Sequence, residues 1–416
     1  MLSVQENELL TRTGRGTPCG ELLRRYWQPA ALAEELPLGG PPLPIRLLGE
    51  DLVLFRDEQG HPGLLGLHCS HRGADLSYGR LEDGGIRCIY HGWLYDVNGR
   101  CLEQPGEPAG STFHERIRHP AYPCQEGGDV IFAYLGPGEA PLLPAYECLT
   151  VPSEHRFVTK TFQECNYLQG NEANLDSQHH SFLHRVGTDD EESTRAIQAR
   201  DGAPVIEPEE TDYGVRVYSI RRVPPDRQFV KITNFVFPNL CAVTGYRYGY
   251  TIHWHVPIDD ETHWKYYLRF NRTAPFTDAE AALSREQTAD YKLIRNRSNR
   301  YLQDRQEMKS RTYAGLGLNN NVHDTWVTES QGAIQDRTQE RLGYNERGII
   351  AARKVMLRAI EDLQAGREPL HLVRDPASNH FPHMAARKEI VPASVDWHDY
   401  MEETMLSVDS AWAVAR

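Results

Sequence analysis

The sequence lacks the features that would place the protein in a membrane or on a nucleic acid. No stretch reaches the roughly 18 consecutive apolar residues that a transmembrane helix needs. The first residues, MLSVQENELLTRTGRG, show no basic start followed by an apolar core, so we expect no secretory signal. Basic residues are outnumbered, with 45 Lys and Arg against 58 Asp and Glu, and the net charge of −13 argues against bulk binding of nucleic acid.

Cysteine is sparse, and internal repeats and low-complexity tracts are absent. The eight cysteines are scattered without the spacing of a disulfide framework, which predicts a reducing, cytoplasmic location. Hydrophobic residues make up 40% and charged residues 25% of the 416 positions, as in ordinary globular proteins. This length predicts two or three domains.

One stretch, residues 68–93, carries a metal-binding pattern. It reads HCSHRGADLSYGRLEDGGIRCIYHGW and contains the spacing C-x-H-x16-C-x2-H. The candidate ligands are Cys69, His71, Cys88 and His91. In a Rieske [2Fe–2S] centre one iron takes two cysteines and the other takes two histidines, and each half of this pattern supplies one of each. Gly73 and Gly92 follow the two halves and permit tight turns, so the pattern predicts a Rieske cluster.

A zinc site, a disulfide framework and a purely structural role all fit these four residues less well. Zinc modules also use two cysteines and two histidines, but they usually place like residues together. A disulfide framework is not expected in a long chain with scattered cysteines. Buried cysteines beside incidental histidines would require the spacing and both glycines to coincide.

The pattern of apolar residues divides the chain into three predicted parts. Residues 1–39 form an N-terminal helical segment that ends in a Pro- and Gly-rich link. Residues 40–152 alternate with a period of two and predict an all-β domain with the cluster loops at one tip. Residues 153–416 predict an α+β domain, in which helices pack on an antiparallel sheet in a helix-grip-like arrangement.

Several elements of the third part can be predicted individually. Long runs rich in Tyr, Val, Ile and Trp predict strands at residues 215–223, 229–236, 246–256 and 262–270. Helices are predicted at residues 278–311, 345–364 and 397–414. Residues 164–185 have a helix-like character despite Gly170 and the adjacent histidines.

A second candidate metal site lies in residues 171–184, NEANLDSQHHSFLH. Two histidines and one carboxylate with open positions are the ligand set of non-haem Fe(II) sites that activate O2. On a regular helix His180 and His184 meet on one face, whereas His179 and His184 lie about 140° apart and need an irregular turn to converge. Geometry alone slightly favours His180, and a polar helix with solvated histidines is the alternative.

The two motifs in this order resemble the oxygenase component of Rieske non-haem iron aromatic-ring-hydroxylating oxygenases, most closely the phthalate dioxygenase type of homotrimeric enzymes. That family's iron motif is D-x2-H-x4-H, which Asp176, His179 and His184 match. The resemblance therefore assigns iron binding to His179 and His184, against the helix argument. It extends over most of the chain, from about residue 9 to about residue 343. Many members have proline where this chain has Ser70, a change expected to alter loop stiffness only.

The resemblance also implies the third ligand and an electron path. Residues 321–338, NVHDTWVTESQGAIQDRT, are similar to the family's downstream motif, which places the third ligand at Asp324, with Asp336 as the alternative. Asp176 would bridge the iron histidine and the second cluster histidine, His91, of a neighbouring subunit. A head-to-tail homotrimer, or a multiple of trimers, would bring the two centres together.

The implied function is oxidation of a small aromatic substrate by O2. Electrons would come from NAD(P)H through a flavin- and iron–sulfur-containing reductase to the cluster and then to mononuclear Fe(II). Dihydroxylation, monohydroxylation and oxidative O- or N-demethylation all occur in the family, and aromatic catabolism is its usual setting. A non-catalytic Rieske carrier is a remote alternative, because it would need only the β domain. A respiratory-type centre would add one cysteine to each loop, joined as a bracing disulfide. The corresponding positions here are Ala74 and Tyr90.

The substrate is open, but a carboxylated aromatic is possible because phthalate-type enzymes often take such compounds. Arg247 on a predicted strand could bind a carboxylate, and strand alternation places it opposite Tyr246, Tyr248 and Tyr250. A solvated strand arginine is at least as good an interpretation. A basic run in residues 295–311 could dock an acidic reductase, although a solvated helix face with internal ion pairs is favoured about two to one.

Overall fold

Antiparallel sheets form the framework of the two larger predicted parts, residues 40–152 and 153–416. The computed structural model describes residues 1–187, 190, 193–245, 249–277 and 286–404. Within that part of the chain, no helix is both long and apolar enough to cross a bilayer.

The N-terminal third contains three small sheets. In sheet order, a three-stranded sheet consists of Gln28–Leu32, Val130–Ala133 and Cys124–Gly127. A four-stranded sheet consists of Leu43–Leu47, Glu50–Arg56, Pro62–Gly66 and Ala121–Tyr122. The second four-stranded sheet consists of Arg80–Glu82, Gly85–Arg87, Leu94–Asp96 and Cys101–Glu103.

The rest of the chain is built on one eight-stranded sheet. Its order along the main path is Arg156–Gln163, His263–Phe270, Tyr250–Pro257, Leu240–Thr244, Arg227–Val236, Gly214–Val223 and Val205–Thr211. Lys388–Pro392 pairs with Arg227–Val236 off this path. The strands predicted from residues 215–223, 229–236 and 262–270 correspond closely to members of this sheet. Of the strand predicted at residues 246–256, residues 250–256 are observed as strand and residues 246–248 lie outside the described part.

Helices flank the sheets and connect them. The α-helices are Val4–Thr11, Pro18–Leu23, Glu147–Thr150, Tyr167–Leu175, Thr194–Arg200, Glu307–Ser310, Asn320–Ser330 and Arg347–Gln364. Residues 397–404 are also helical, and the remainder of the helix predicted to end at residue 414 lies outside the described residues. Short 3-10 turns occupy Ala33–Glu35, Leu76–Tyr78, Phe113–Arg116, Ser153–His155, Gln178–Ser181, Arg297–Leu302, Tyr344–Glu346, Pro376–Ser378 and Pro382–Met384.

The N-terminal segment is helical only as far as Leu23, so the prediction for residues 1–39 is wrong beyond that point. Gln28–Leu32 is a buried strand that pairs with Val130–Ala133. The first helix, Val4–Thr11, contacts the part of the chain built on the large sheet, because the Leu10 carbonyl accepts a hydrogen bond from the Tyr167 hydroxyl at 3.0 Å. The boundaries at residues 39/40 and 152/153 stay a prediction.

The single helix predicted at residues 278–311 is wrong over residues 286–306, which form turns and a 3-10 segment, and only Glu307–Ser310 is α-helical. Residues 278–285 lie outside the described part. The Asn296 side chain accepts from the Ser298 amide, and the Asn299 side chain accepts from the Asn296 amide, each at 3.0 Å. These local bonds compete with helical ones. The basic residues of this run therefore share no single helix face.

A buried ion cluster joins the helix Tyr167–Leu175 to the helix Arg347–Gln364. Glu172 accepts hydrogen bonds from Arg337 at 2.8 Å and from Arg353 at 2.6 Å. Burial alone would raise the pKa of Glu172, but the two guanidinium groups hold it below its usual value. Glu340 pairs with the same Arg353 at 2.6 Å.

Replacing Glu172 with glutamine should destabilise the protein by about 3–5 kcal/mol, because two buried arginines lose a shared anion. Chemical denaturation should show the loss as a lower midpoint. Glu368→Gln is the matched control, since its partner Arg374 is exposed and the pair contributes at most about 1 kcal/mol. Equal midpoints for the two variants would contradict this assignment.

Candidate metal centres

The four residues of the first motif lie at the tips of two loops between short strands. Cys69 and Cys88 are each 3% exposed, whereas the two histidines are exposed. The imidazole centroids of His71 and His91 lie 4.5 Å apart. The thiols thus face the protein and the imidazoles face outward, as an asymmetric two-iron cluster requires.

The two loops repeat the same backbone geometry. The amide of Gly73 donates to the Cys69 carbonyl at 2.8 Å, and the amide of Gly92 donates to the Cys88 carbonyl at 2.9 Å. The two glycines adopt φ values of 71° and 76°, which side-chain-bearing residues rarely adopt. The sequence prediction of glycine turns agrees with this geometry.

Side chains outside the motif hold the loops in place, and the sequence did not identify them. The Tyr95 hydroxyl lies 3.2 Å from the Cys69 sulfur. His119 Nε2 donates to the Gly66 carbonyl at 2.7 Å, so its Nδ1 accepts from the Ser70 hydroxyl, also at 2.7 Å. Ser70 therefore anchors its loop by a hydrogen bond. No spacing in the sequence points to Tyr95 or His119.

No disulfide braces these loops. All eight cysteines, which fall within the described residues, are free. This agrees with the expectation from Ala74 and Tyr90.

An interrupted helix positions the second motif. The helix Tyr167–Leu175 ends at Asp176, whose φ of −77° and ψ of 109° are extended. A 3-10 turn, Gln178–Ser181, follows. The helical periodicity that favoured His180 therefore does not apply, and the ring centroids of His179 and His184 lie 4.9 Å apart. Ligand nitrogens of His179, His180 and His184 all lie within 4.8 Å of one another.

His180 is engaged by a cation. Its Nε2 lies 3.0 Å from Lys231 Nζ, which in its ammonium form can only donate. Its Nδ1 is buried without a partner among the described residues. Burial, together with the charge of Lys231, holds the pKa of His180 well below its usual value. This histidine is thus poorly placed to offer a free lone pair to a metal.

His184 has its lone pair directed at a carboxylate. His323 Nε2 donates to the Gly317 carbonyl at 3.0 Å, so His323 Nδ1 accepts a hydrogen bond from His184 Nδ1 at 3.1 Å. His184 Nε2 then carries no proton, yet it lies 3.0 Å from Asp324 Oδ1. Burial lowers the pKa of His184 to about 4, against the raising effect of Asp324. Two lone-pair donors this close at neutral pH fit a shared cation.

Asp324 lies with the histidines, whereas Asp336 does not. Asp324 is on the helix Asn320–Ser330, and its second oxygen lies 3.7 Å from Lys265 Nζ. Burial would raise the pKa of Asp324, but His184 and Lys265 hold it well below its usual range. Asp336 is exposed and accepts a hydrogen bond from the Thr338 amide at 3.0 Å.

Asp176 lies on the outer side of this histidine cluster. Its Oδ2 is 3.6 Å from His179 Nδ1, and its Oδ1 accepts from the Gln178 amide at 2.8 Å. Its side chain is 29% exposed, against 15% for that of His179.

A cavity of about 600 Å³ opens beside the second centre. Besides the three histidines and Asp324, its lining contains four cationic residues: Arg195, Lys231, Lys265 and Arg269. Lys265 and Arg269 lie at alternate positions of the strand His263–Phe270, so the period of the strand places both on one face. A larger groove of about 930 Å³, lined in part by Ile197 and Trp397, contains none of the candidate ligands.

The strand around Arg247, considered above for carboxylate binding, is only partly described. Arg247, Tyr246 and Tyr248 lie outside the described residues. Tyr250 is 2% exposed and packs against Phe270 in the core.

Two cysteine–histidine loops on small β-sheets, followed by a histidine–carboxylate cluster on a large antiparallel sheet, define a Rieske non-haem iron oxygenase. The chain belongs to this family. The Rieske [2Fe-2S] domain family matches residues 26–122, and the family described as LigXa C-terminal domain like matches residues 133–413. The α+β fold predicted from the sequence is confirmed.

Individual relatives cover nearly the whole chain. It is 34% identical to the phthalate 4,5-dioxygenase oxygenase subunit of Pseudomonas putida, over 100% of this chain and 98% of that protein. It is 34% identical to the 5,5'-dehydrodivanillate O-demethylase oxygenase subunit of Sphingobium sp., over 91% of this chain and 85% of that protein. The terminal oxygenase of carbazole 1,9a-dioxygenase from Novosphingobium sp. KA1 shares the fold, with a TM-score of 0.57 at 18% identity over 84% of this chain and 94% of that one.

Membership confirms the predicted class of enzyme and its cofactors. The protein is an oxidoreductase, the oxygenase component of a Rieske system, and its cofactors are a [2Fe–2S] cluster and a mononuclear iron. A redox partner that delivers electrons follows from this role.

Proposed function

We propose that this oxygenase component oxidises a small aromatic carboxylate, and that the cavity beside the second centre is its substrate site. The observation that carries the proposal is the set of cationic side chains in a cavity that also contains His179, His184 and Asp324. A carboxylate is the substrate group that such a lining would bind. Its ring would then lie next to the iron. The first two relatives named above act, by their names, on phthalate and on dehydrodivanillate.

We propose His179, His184 and Asp324 as the iron ligands, and Cys69, His71, Cys88 and His91 as the cluster ligands. Bound iron supplies the open coordination positions for O2 chemistry, and the cluster supplies single electrons. The chain's own contribution is orientation. His323 fixes the tautomer of His184, and Lys231 hydrogen-bonds to Nε2 of the neighbouring His180.

We propose that the protein works as a homotrimer or a multiple of trimers. Exposed histidines on the cluster loops and a partly exposed Asp176 support a path from His91 of one subunit to Asp176 of the next. The electron donor proposed is an NAD(P)H-dependent reductase with flavin and iron–sulfur centres. Free cysteines throughout support a cytoplasmic location.

The test is turnover with a set of aromatic mono- and dicarboxylates, with reductase, NADH and O2 present. The expected result is O2 and NADH consumption coupled to a hydroxylated product, whose regiochemistry is read by mass spectrometry and NMR. Coupled turnover only with uncharged aromatics would contradict the carboxylate site. Binding of cluster iron without mononuclear iron would instead favour an electron carrier.

Oxidative O-demethylation is the second candidate reaction. The similarity to a protein named as an O-demethylase favours it, at the same 34% identity as the phthalate enzyme. Methoxybenzoates separate the two reactions, because demethylation releases one formaldehyde per turnover and ring hydroxylation releases none.

Lys231 should make the binding of carboxylates depend on pH. Burial, helped by the charges of Arg221 and Lys388, lowers the pKa of Lys231 to about 7, against the raising effect of Asp324 and Asp176. The ammonium form attracts a carboxylate and the neutral amine does not. Affinity should therefore fall by up to about tenfold per unit as the pH rises above 7.

Calorimetric titration with benzoate from about pH 6 to about pH 9 at constant ionic strength measures this effect. Lys231→Arg is the control, because a guanidinium keeps its charge throughout the range and should flatten the profile. An equally steep fall in both proteins would assign the titration to another group.

A further inference from the structure

Four polar side chains beneath the cavity form one hydrogen-bonded series, from His263 through His255 and Asn174 to His253. Which atom donates in each bond follows from the His263 end. His263 Nδ1 lies 2.7 Å from the Cys165 carbonyl, which can only accept, so the His263 proton is on Nδ1. His263 Nε2 then accepts a hydrogen bond from His255 Nδ1 at 2.9 Å. His255 Nε2 in turn accepts from Asn174 Nδ2 at 2.8 Å.

The last member of the chain is His253. The Asn174 amide also donates to the Gly170 carbonyl at 2.7 Å, which fixes its orientation and turns Oδ1 toward His253. His253 Nδ1 donates to that oxygen, so His253 Nε2 carries no proton. Burial holds the pKa of His253 and His255 well below the usual value, so both rings are neutral.

Gly170 makes room for this hydrogen-bonded series, although glycine lowers the helix propensity of its segment. Gly170 lies inside the helix Tyr167–Leu175, where glycine costs about 1 kcal/mol relative to alanine. A Cβ at this position would stand 2.2 Å from His255 Nδ1. Glycine is therefore required for His255 to reach both His263 and Asn174.

His253 is the member of the hydrogen-bonded series that faces the proposed substrate cavity. Its side chain lines the cavity, is 7% exposed, and stacks on Tyr267 with a centroid distance of 5.1 Å. In the described part of the chain no residue hydrogen-bonds to its Nε2, whereas both ring nitrogens of His255 and His263 are used. A histidine that only completed the core would have both nitrogens satisfied.

We propose that His253 Nε2 is a fixed hydrogen-bond acceptor for the substrate, and that the cavity selects aromatic carboxylates that also carry a hydroxyl or N–H donor. The cations bind the carboxylate, and His253 accepts from the second group. The inference rests on the proposed carboxylate site and adds a specificity-determining residue to it. A substrate with an acceptor at that position would face a lone pair without a proton.

Anaerobic calorimetry on the iron-loaded protein tests this proposal. The ligands are the three hydroxybenzoate isomers and the three matching methoxybenzoates. At one ring position at least, the hydroxyl compound should bind about tenfold tighter than its methoxy counterpart. In His253→Phe that ratio should fall to about one, with iron content and cluster absorbance unchanged.

The far end of the chain provides a second variant that does not touch the cavity. His263→Leu leaves the His255 proton without its acceptor and allows the other His255 tautomer, whose Nε2 proton would oppose the Asn174 amide. The bond to Gly170 then holds Asn174 alone, so the hydroxyl preference should weaken without vanishing. His263→Gln keeps a donor for Cys165 and an acceptor for His255, and it should retain the preference. A preference that is absent in the unmodified protein, or unchanged in His253→Phe, would overturn the role of His253. Failure of every benzoate to bind would overturn the carboxylate site as well.

Discussion

Replacing His184 with alanine should leave the cluster intact and remove the mononuclear iron. Iron content should fall from about three to about two atoms per chain, because the cluster accounts for two and the second centre for one. His184 is the histidine whose Nε2 faces Asp324 at 3.0 Å, so its loss leaves Asp324 without this neighbouring ligand. Turnover should fall to background while the visible spectrum of the cluster stays unchanged.

The neighbouring histidines make this experiment discriminating. His179→Ala should lose iron in the same way, whereas His180→Ala should keep it, because the His180 Nε2 is engaged by Lys231. Iron analysis and cluster absorbance on the three variants provide the comparison. Iron loss in His180→Ala together with retention in His179→Ala would reverse the ligand assignment.

Replacing Asp176 with asparagine should slow electron delivery without removing iron. The carboxylate contacts His179 rather than the proposed metal position, so the ligand set stays complete. Loss of a residue that supports a metal ligand typically costs about 10–100-fold in activity. We expect a fall of that size in the rate at which a pre-reduced cluster is reoxidised with substrate and O2 present, followed by stopped-flow absorbance.

Asp336→Asn is the matched control for Asp176. Its carboxylate binds the Thr338 amide on the surface, so iron content and reoxidation rate should both be unchanged. Loss of iron in Asp176→Asn would mean that this residue supports the metal itself. An unchanged rate would remove Asp176 from the electron path.

The cluster motif was predictable because its four residues lie in two short loops. Within each loop, residues that are close in the sequence are also close in the structure. The strands of the large sheet were predictable for a similar reason, since alternation is a local property. The convergence of His179 and His184 could not be predicted from periodicity, because it depends on the helix ending at Leu175, before the two histidines. The choice of these ligands came from family resemblance and stays a prediction.

The cavity could not be assembled from the sequence. Lys231 and Lys265 come from two strands, and only the order of the large sheet brings them together with Asp324. The hydrogen-bonded series from His263 through His255 and Asn174 to His253 likewise depends on a helix and two strands at once. The helix predicted from residue 278 failed because asparagine side chains bond locally to the backbone.

The path of the first 32 residues has a consequence for protein engineering. The chain begins against the iron-bearing half, through Leu10 and Tyr167, and then contributes the strand Gln28–Leu32 to a sheet of the cluster half. A chimaera that exchanges cluster halves between relatives by cutting near residue 40 would leave this strand behind, paired with a foreign edge. Junctions placed before residue 28 and after residue 133 would move the strand together with its partner Val130–Ala133.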